Sequence, residues 1–307
     1  MIKKIALDPE LFCQWEHHRA LRHEFAVEKG RLIAAFPKKW KVLVRALSET
    51  LEANGKLSSL KAETIRNWLA VSSGGDDPRF IRCGCAYDGA KAWHLNAEDQ
   101  AQSFDVILSQ HAIGAANAIL ADSELEYQND SRFKASTQDR VPRNANALIA
   151  CVWPLVRASS SIRIVEPNFI PNEDRFMKPF ECLVDRLVSD GSSIKLVELH
   201  VLRSPSFSDT TKRNYKNTID PILRTGYQVK VFFWADGRER LHDRYLLTDR
   251  GGIDLTWGWD EGQPTETTPV KILEEHMWRK EWDRYRIGTA DFNIDPLQHV
   301  MLIGTTS

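Results

Sequence analysis

From Asn144 to Trp259 the chain alternates two kinds of segment, and this alternation limits its fold more than any other feature. Stretches with helical apolar spacing, "NANALIACVWPLVRAS", "DRFMKPFECLVDRLVSDG" and "KRNYKNTIDPILRTG", separate short apolar runs, "SIRIVEP" (161–167), "SIKLVELHVL" (193–202) and "YQVKVFFWA" (227–235). Strands of this length between helices of this length imply βαβ units around a mainly parallel sheet. "LHDRYLLTD" (241–249) and "GIDLTWGW" (252–259) add two strands close enough to form a hairpin. "VKILEEHMWRKEWDRYRIG" reads as an amphipathic helix that packs Trp278, Trp282 and Tyr285 onto the sheet. Residues 144–307 are therefore expected to form an α/β domain.

The first half reads differently. Over residues 8–55 apolar side chains recur every three or four positions, with breaks at Gly30, Pro37 and Gly55, and "KLSSLKAETIRNWLAVSSGGDD" supplies another helix that Ser58 or Ser59 caps. Residues 1–75 are expected to be a mainly helical, locally basic domain. Residues 76–143 mix short apolar runs with Gly and Asp and are read as a loop-rich bridge. No repeat of fixed period and no low-complexity tract interrupts the chain.

At 307 residues and 42% hydrophobic content the chain can bury a real core, and its net charge of −1 gives no global pull toward polyanions. The charge is uneven, however: residues 1–70 carry thirteen Lys/Arg against eight Asp/Glu. Five cysteines, Cys13, Cys83, Cys85, Cys151 and Cys182, form no paired framework, which fits a reducing compartment. The "RCGC" pair lacks two further ligands at metal-site spacing, so no metal and no cofactor are expected. Cys13, His17 and His18 share one helical turn, and packing is the favoured reading for them too. The N-terminus has no apolar core of signal-peptide length, and nowhere do 18 apolar residues run together, so the expected setting is cytoplasmic with no membrane partner.

The chemistry-bearing stretch is "HDRYLLTD". In an extended strand His242 and Arg244 project to one face and Asp243 and Tyr245 to the other, while Asp249 follows at the strand's end. A neutral imidazole is a good nucleophile, a guanidinium grips phosphate oxygens with two parallel donors, and a carboxylate can orient either of them. The plain alternative is a strand whose charges pair with acidic neighbours. Glu166 and Glu198 stand at or near the ends of predicted strands, where each either lines a cleft or pairs with Arg244; pairing is favoured for Glu198.

These residues carry a family resemblance. "HDRYLLTD" is similar to the HxK(x)4D signature of the phospholipase D superfamily in an HxR form, and "GGIDLTWGWDEG" resembles the strand and glycine segment that follows it. "SIRIVEPNF" looks like the first strand of such domains. The resemblance spans roughly residues 145–290, about half the chain. It implies a phospholipase-D-like mixed sheet flanked by helices, and a metal-independent phosphodiesterase in which His242 attacks, Arg244 binds phosphate and Asp249 supports it. A helical segment joined to a solitary domain of this kind is similar to architectures in bacterial anti-phage defence, which implies a nuclease, possible further defence subunits, and DNA or RNA as substrate.

The departures shape the alternatives. Superfamily members use two histidines, one forming a phosphohistidine and one protonating the leaving oxygen, whereas one clear motif is present here. A homodimer supplies a second His242, or His200 in "ELHVLR" serves as the second acid/base; dimerisation is the better-supported analogy. Arginine replaces the usual lysine, and "TWGW" stands where small polar residues often follow. These changes keep open a non-catalytic module that binds phosphate or a partner protein. In the N-terminal half, "FPKKWKVLVRAL" places Lys38, Lys39, Lys41 and Arg45 around Trp40; a solvated face is the default reading, and a nucleic-acid-contacting surface is the functional one.

Overall fold

The structure is a computed structural model that describes residues 1–70, 77–121, 125–203, 207–234, 242–286 and 299–303. Residues 72–76 of the expected "SSGGDD" helix stop, and Ala235 and Leu241 of two expected strands, lie outside these residues. The chain divides into two compact units, Met1–Thr137 and Gln138–Ser307.

The N-terminal unit is not a helical domain followed by a bridge. Its elements are β1 (Lys3–Leu7), α1 (Pro9–Cys13), α2 (Trp15–Leu21), β2 (Arg31–Ala35), α3 (Trp40–Ala53), α4 (Ser59–Ala70), β3 (Phe80–Arg82), α5 (Trp93–Asp99), β4 (Val106–Ser109) and β5 (Ala118–Leu120). Among the described residues the strands form one five-stranded sheet in the order β3-β2-β1-β4-β5, every pair parallel. Ile5, Leu7, Ile33, Val106 and Leu108 pack on one face against Leu11, Phe12, Trp40 and Ile65, while Ala6, Ala34 and Ile107 pack on the other against Phe36, Trp93 and Ala97. A sheet covered on both sides needs apolar side chains at every position, so its strands read as short continuous runs. Such runs lack the alternation that marks a strand in sequence, and the expected helix over "RLIAA" is β2 for this reason. Most of the expected bridge, residues 76–137, supplies β3, α5, β4 and β5. Cys83 and Cys85, expected to belong to no paired framework, are joined to each other in a disulfide just after β3.

The C-terminal unit follows the expected alternation from residue 145 onward, but Gln138–Pro142 of the expected bridge and "VKI" of the expected final helix are in strands, and the strand expected over 252–259 ends at Asp254. It contains β6 (Gln138–Pro142), α6 (Ala145–Arg157), β7 (Ile162–Val165), α7 (Asp174–Ser189), β8 (Leu196–Leu202), α8 (Asp209–Ile219), β9 (Gln228–Trp234), β10 (Tyr245–Thr248), β11 (Gly251–Asp254), β12 (Thr267–Ile272), α9 (Glu275–Arg284) and β13 (His299–Ile303). Its sheet is mixed, in the order β13-β9-β8-β7-β10-β11-β12-β6, with β7, β8 and β9 parallel and the remaining pairs antiparallel. The expected hairpin is β10–β11, registered Tyr245↔Asp254 to Thr248↔Gly251. Helix α9 packs on it as expected: Trp278 and Tyr285 join a core with Val165, Phe232, Trp234, Tyr245 and Leu247, and Trp282 lies against its edge. The molecule is thus mixed α/β with two sheets flanked by helices, and no helix among the described residues is long and apolar enough to cross a membrane.

Candidate functional site

The register places His242 and Arg244 at a defined edge. Because β10 runs antiparallel to β7 with Tyr245 opposite Val165, the residues entering β10 meet the residue leaving β7, which is Glu166. This is the carboxyl edge of the parallel strands, where ligands of open α/β sheets bind. Side chains alternate as expected. Asp243 turns toward Arg284 of α9, 3.7 Å away, whereas Arg244 turns to the opposite face, its Nε 3.5 Å from Glu166 Oε1. His242 is exposed, and the Arg244 side chain retains 28% of its surface in solvent.

Glu166 is the anchor of this edge. It is 1% exposed; its Oε2 accepts from Trp259 N at 2.8 Å and its Oε1 from Asn168 N at 3.2 Å. Burial pushes the carboxyl above its ordinary range, and the two N–H donors and the Arg244 guanidinium pull the other way. Arg244 Nη1 also donates toward Thr256 O at 3.4 Å. The segment that closes the site turns at Gly258, whose φ of +110° belongs to the region that favours glycine. A Cβ there would stand 2.6 Å from Glu166 Oε2 and 3.1 Å from Arg244 Cδ. The turn buries Trp259 completely and leaves Trp257 46% exposed. Behind it, Asp260 pairs with Arg143 and lies 3.5 Å from Arg175, and Arg143 also reaches Glu266 at 3.0 Å. Sequence reasoning did not single out Gly258, Arg143 or Asp260; the glycine between two tryptophans in "TWGW" was the available signal.

Three expected roles are corrected. Asp249 does not support Arg244: the strand β10 lies between them, and five extended residues span roughly 16 Å. Its carboxylate instead accepts from Ser160 N at 2.9 Å, Ser160 Oγ at 2.6 Å and Ser161 N at 3.1 Å, tying the turn before β7 to the end of β10. His200 is not available as a second acid/base for this site. It pairs in register with Val165, and so shares the α9 face of the sheet with Tyr245 and Leu247 rather than the Arg244 face. There it is 0% exposed, stacked on Phe232 with centroids 4.8 Å apart, and its Nδ1 accepts from Trp234 Nε1 at 2.9 Å. Burial holds its imidazole below the ordinary histidine range. Glu198, expected to pair with Arg244, pairs instead with Arg163 at 2.6 Å on that same α9 face, and Glu166 takes the Arg244 contact.

In the N-terminal unit the basic segment is split. Lys38, Lys39 and Arg45 are exposed, whereas Lys41 meets Asp77 at 2.5 Å and lies over the Phe80 ring. Trp40 is buried, its Nε1 donating to Leu7 O at 2.7 Å. Of the Cys13, His17 and His18 turn, His17 Nδ1 lies 3.3 Å from Tyr127 Oη, and Cys13 Sγ donates weakly to Val44 O. Among the described residues no three His, Cys, Asp or Glu side chains are grouped to hold a metal ion. No protein-family model matches the chain, and a search of curated proteins finds no significant match.

Proposed function

We propose that the edge formed by His242 and Arg244 handles a phosphodiester in the manner of the phospholipase D superfamily, with nucleic acid as substrate. The observation that carries this reading is an exposed imidazole two residues from a partly exposed guanidinium whose back is fixed by a buried carboxylate, at the carboxyl edge of parallel strands. Glu166 holds Arg244 by Nε and Thr256 O takes a donor of Nη1, so Nη2 is the terminal nitrogen best placed to donate to the oxygens of a phosphoryl group. In the reaction, His242 attacks phosphorus and forms a P–N bond as the P–O bond to the leaving group breaks. A second imidazole gives the leaving oxygen its proton, and water, deprotonated by that imidazole, then cleaves the P–N bond.

That second imidazole comes from outside this chain's own site, because His200 is sealed on the other face. His242 of a second copy, brought across a twofold axis, completes the pair. With EDTA present, the wild-type chain is expected to cleave DNA or RNA, and H242A to lose at least about a thousandfold in rate. Cleavage by H242A at the wild-type rate would remove the catalytic role.

The burial of His200 also favours a second reading, a non-catalytic phosphate- or partner-binding module of a multi-subunit system such as a bacterial defence assembly. It gives salt-sensitive binding of oligonucleotides that R244A weakens, with no turnover on any nucleic acid.

A further inference from the structure

Beside the phosphate-binding edge stands a ring that the resemblance does not account for. Trp257 is the one aromatic among the large exposed hydrophobic side chains of the described residues, at 46% exposure. Its exposure is built in. Gly258 turns the backbone so that Trp259 N donates to Glu166 and the Trp259 ring goes inward, which sends the preceding ring outward. Trp257 N itself lies 3.3 Å from Thr268 Oγ1, its donor aimed at the start of β12. The neighbours on both sides of Trp257 stand by Arg244: Thr256 accepts from it through its carbonyl, and a Cβ at Gly258 would lie 3.1 Å from its Cδ. A second guanidinium, Arg140 of β6, lies 5.5 Å from the Trp257 ring centroid, held there by Thr267 Oγ1 at 3.0 Å from its Nε.

We propose that Trp257 is a stacking platform for an unpaired base, so that the edge takes single-stranded rather than duplex nucleic acid; this rests on the phosphate reading above. Trp257 follows the residue whose carbonyl takes a donor of Arg244, so a strand held by a phosphate at Arg244 has its adjoining nucleoside within reach of the indole. The indole offers a flat apolar face, and Arg140 adds a cation that interacts with a ring or with the next phosphate. Bases in a duplex hide their faces in the stack, so only an unpaired base meets the platform. Stacking on a π-face tolerates any base, so the site discriminates strandedness more than sequence.

The test uses the full chain carrying H242N, which holds a strand without a nucleophile to cut it. Fluorescence anisotropy compares a labelled oligothymidylate with an abasic strand of equal length and charge, and with a blunt duplex. The base-bearing strand is expected to bind about tenfold more tightly than the abasic one. Adding W257A should bring the two strands to the same affinity while leaving the duplex unchanged, and W257F should keep most of the preference. Equal binding of thymidylate and abasic strands, with R244A weakening both, overturns the platform and leaves the phosphate reading standing. A W257A loss that is the same for duplex and single strand also overturns it. If no strand binds, the phosphate reading falls and takes the platform with it.

Discussion

His18 makes the N-terminal unit sensitive to mild acid. It is 0% exposed, set edge-on to Phe12, and stacked on Trp15, and neither ring nitrogen has a hydrogen-bond partner among the described residues. Burial, aided by the nearby Arg22 and His23, lowers its pKa from 6.5 to about 4. The folded chain therefore keeps this imidazole neutral across a range where the unfolded chain protonates it. Below pH 6.5 the unfolded state binds the extra proton, so stability falls as pH falls toward 4; above 6.5 the contribution is fully present. The loss across that window is about 3 kcal/mol. Urea unfolding of wild type and H18F at pH 7 and pH 5 checks this: the wild-type midpoint should drop more than that of H18F. Equal drops would mean that His18 is protonated in the folded protein.

At the level of elements, the turn between β11 and β12 does the most with the fewest residues. Ala at position 258 combines an unfavourable positive φ with a Cβ driven into a carboxylate oxygen that two sides hold in place. G258A is expected to cost about 3 kcal/mol by urea denaturation, whereas G191A, at a positive φ with open space around it, should cost about 1 kcal/mol. If both variants lose the same amount, backbone strain alone explains the effect and the packing against Glu166 contributes nothing. The elements also differ in how legible they were. In the C-terminal unit, long amphipathic helices such as α7 separate the strands and betray them; the strand runs there, "SIRIV" and "QVKVFFW", are rich in β-branched and aromatic residues. In the N-terminal unit, "KKIAL", "RLIAA" and "FIR" are three to five residues long, and Ala and Leu suit helices as well as strands. The motif's local geometry, Asp243 to one face and Arg244 to the other, followed from strand alternation alone. What lay beyond reading was pairing: nothing in the sequence says that Glu166 rather than Glu198 meets Arg244, because that depends on which face each occupies after the sheet is registered.

For the whole molecule, the decisive feature is that His200 is sealed in the core of the C-terminal unit, 0% exposed, whereas His242 is exposed. Rotamer changes do not bring an imidazole enclosed by Phe232, Trp234 and Tyr285 out to an exposed one, so His200 cannot serve as the partner of His242. The proposed hydrolysis thus requires a dimer, and light scattering of the purified chain should give twice the 35.1 kDa protomer mass under conditions where cleavage is seen. Cleavage by a sample that is monomeric throughout would exclude the shared site. The burial of His200 dictates a kinetic order. In solutions dilute enough to dissociate the pair, the rate of cutting should rise with the square of protein concentration, and a heterodimer of wild type with H242A should be as silent as the double mutant.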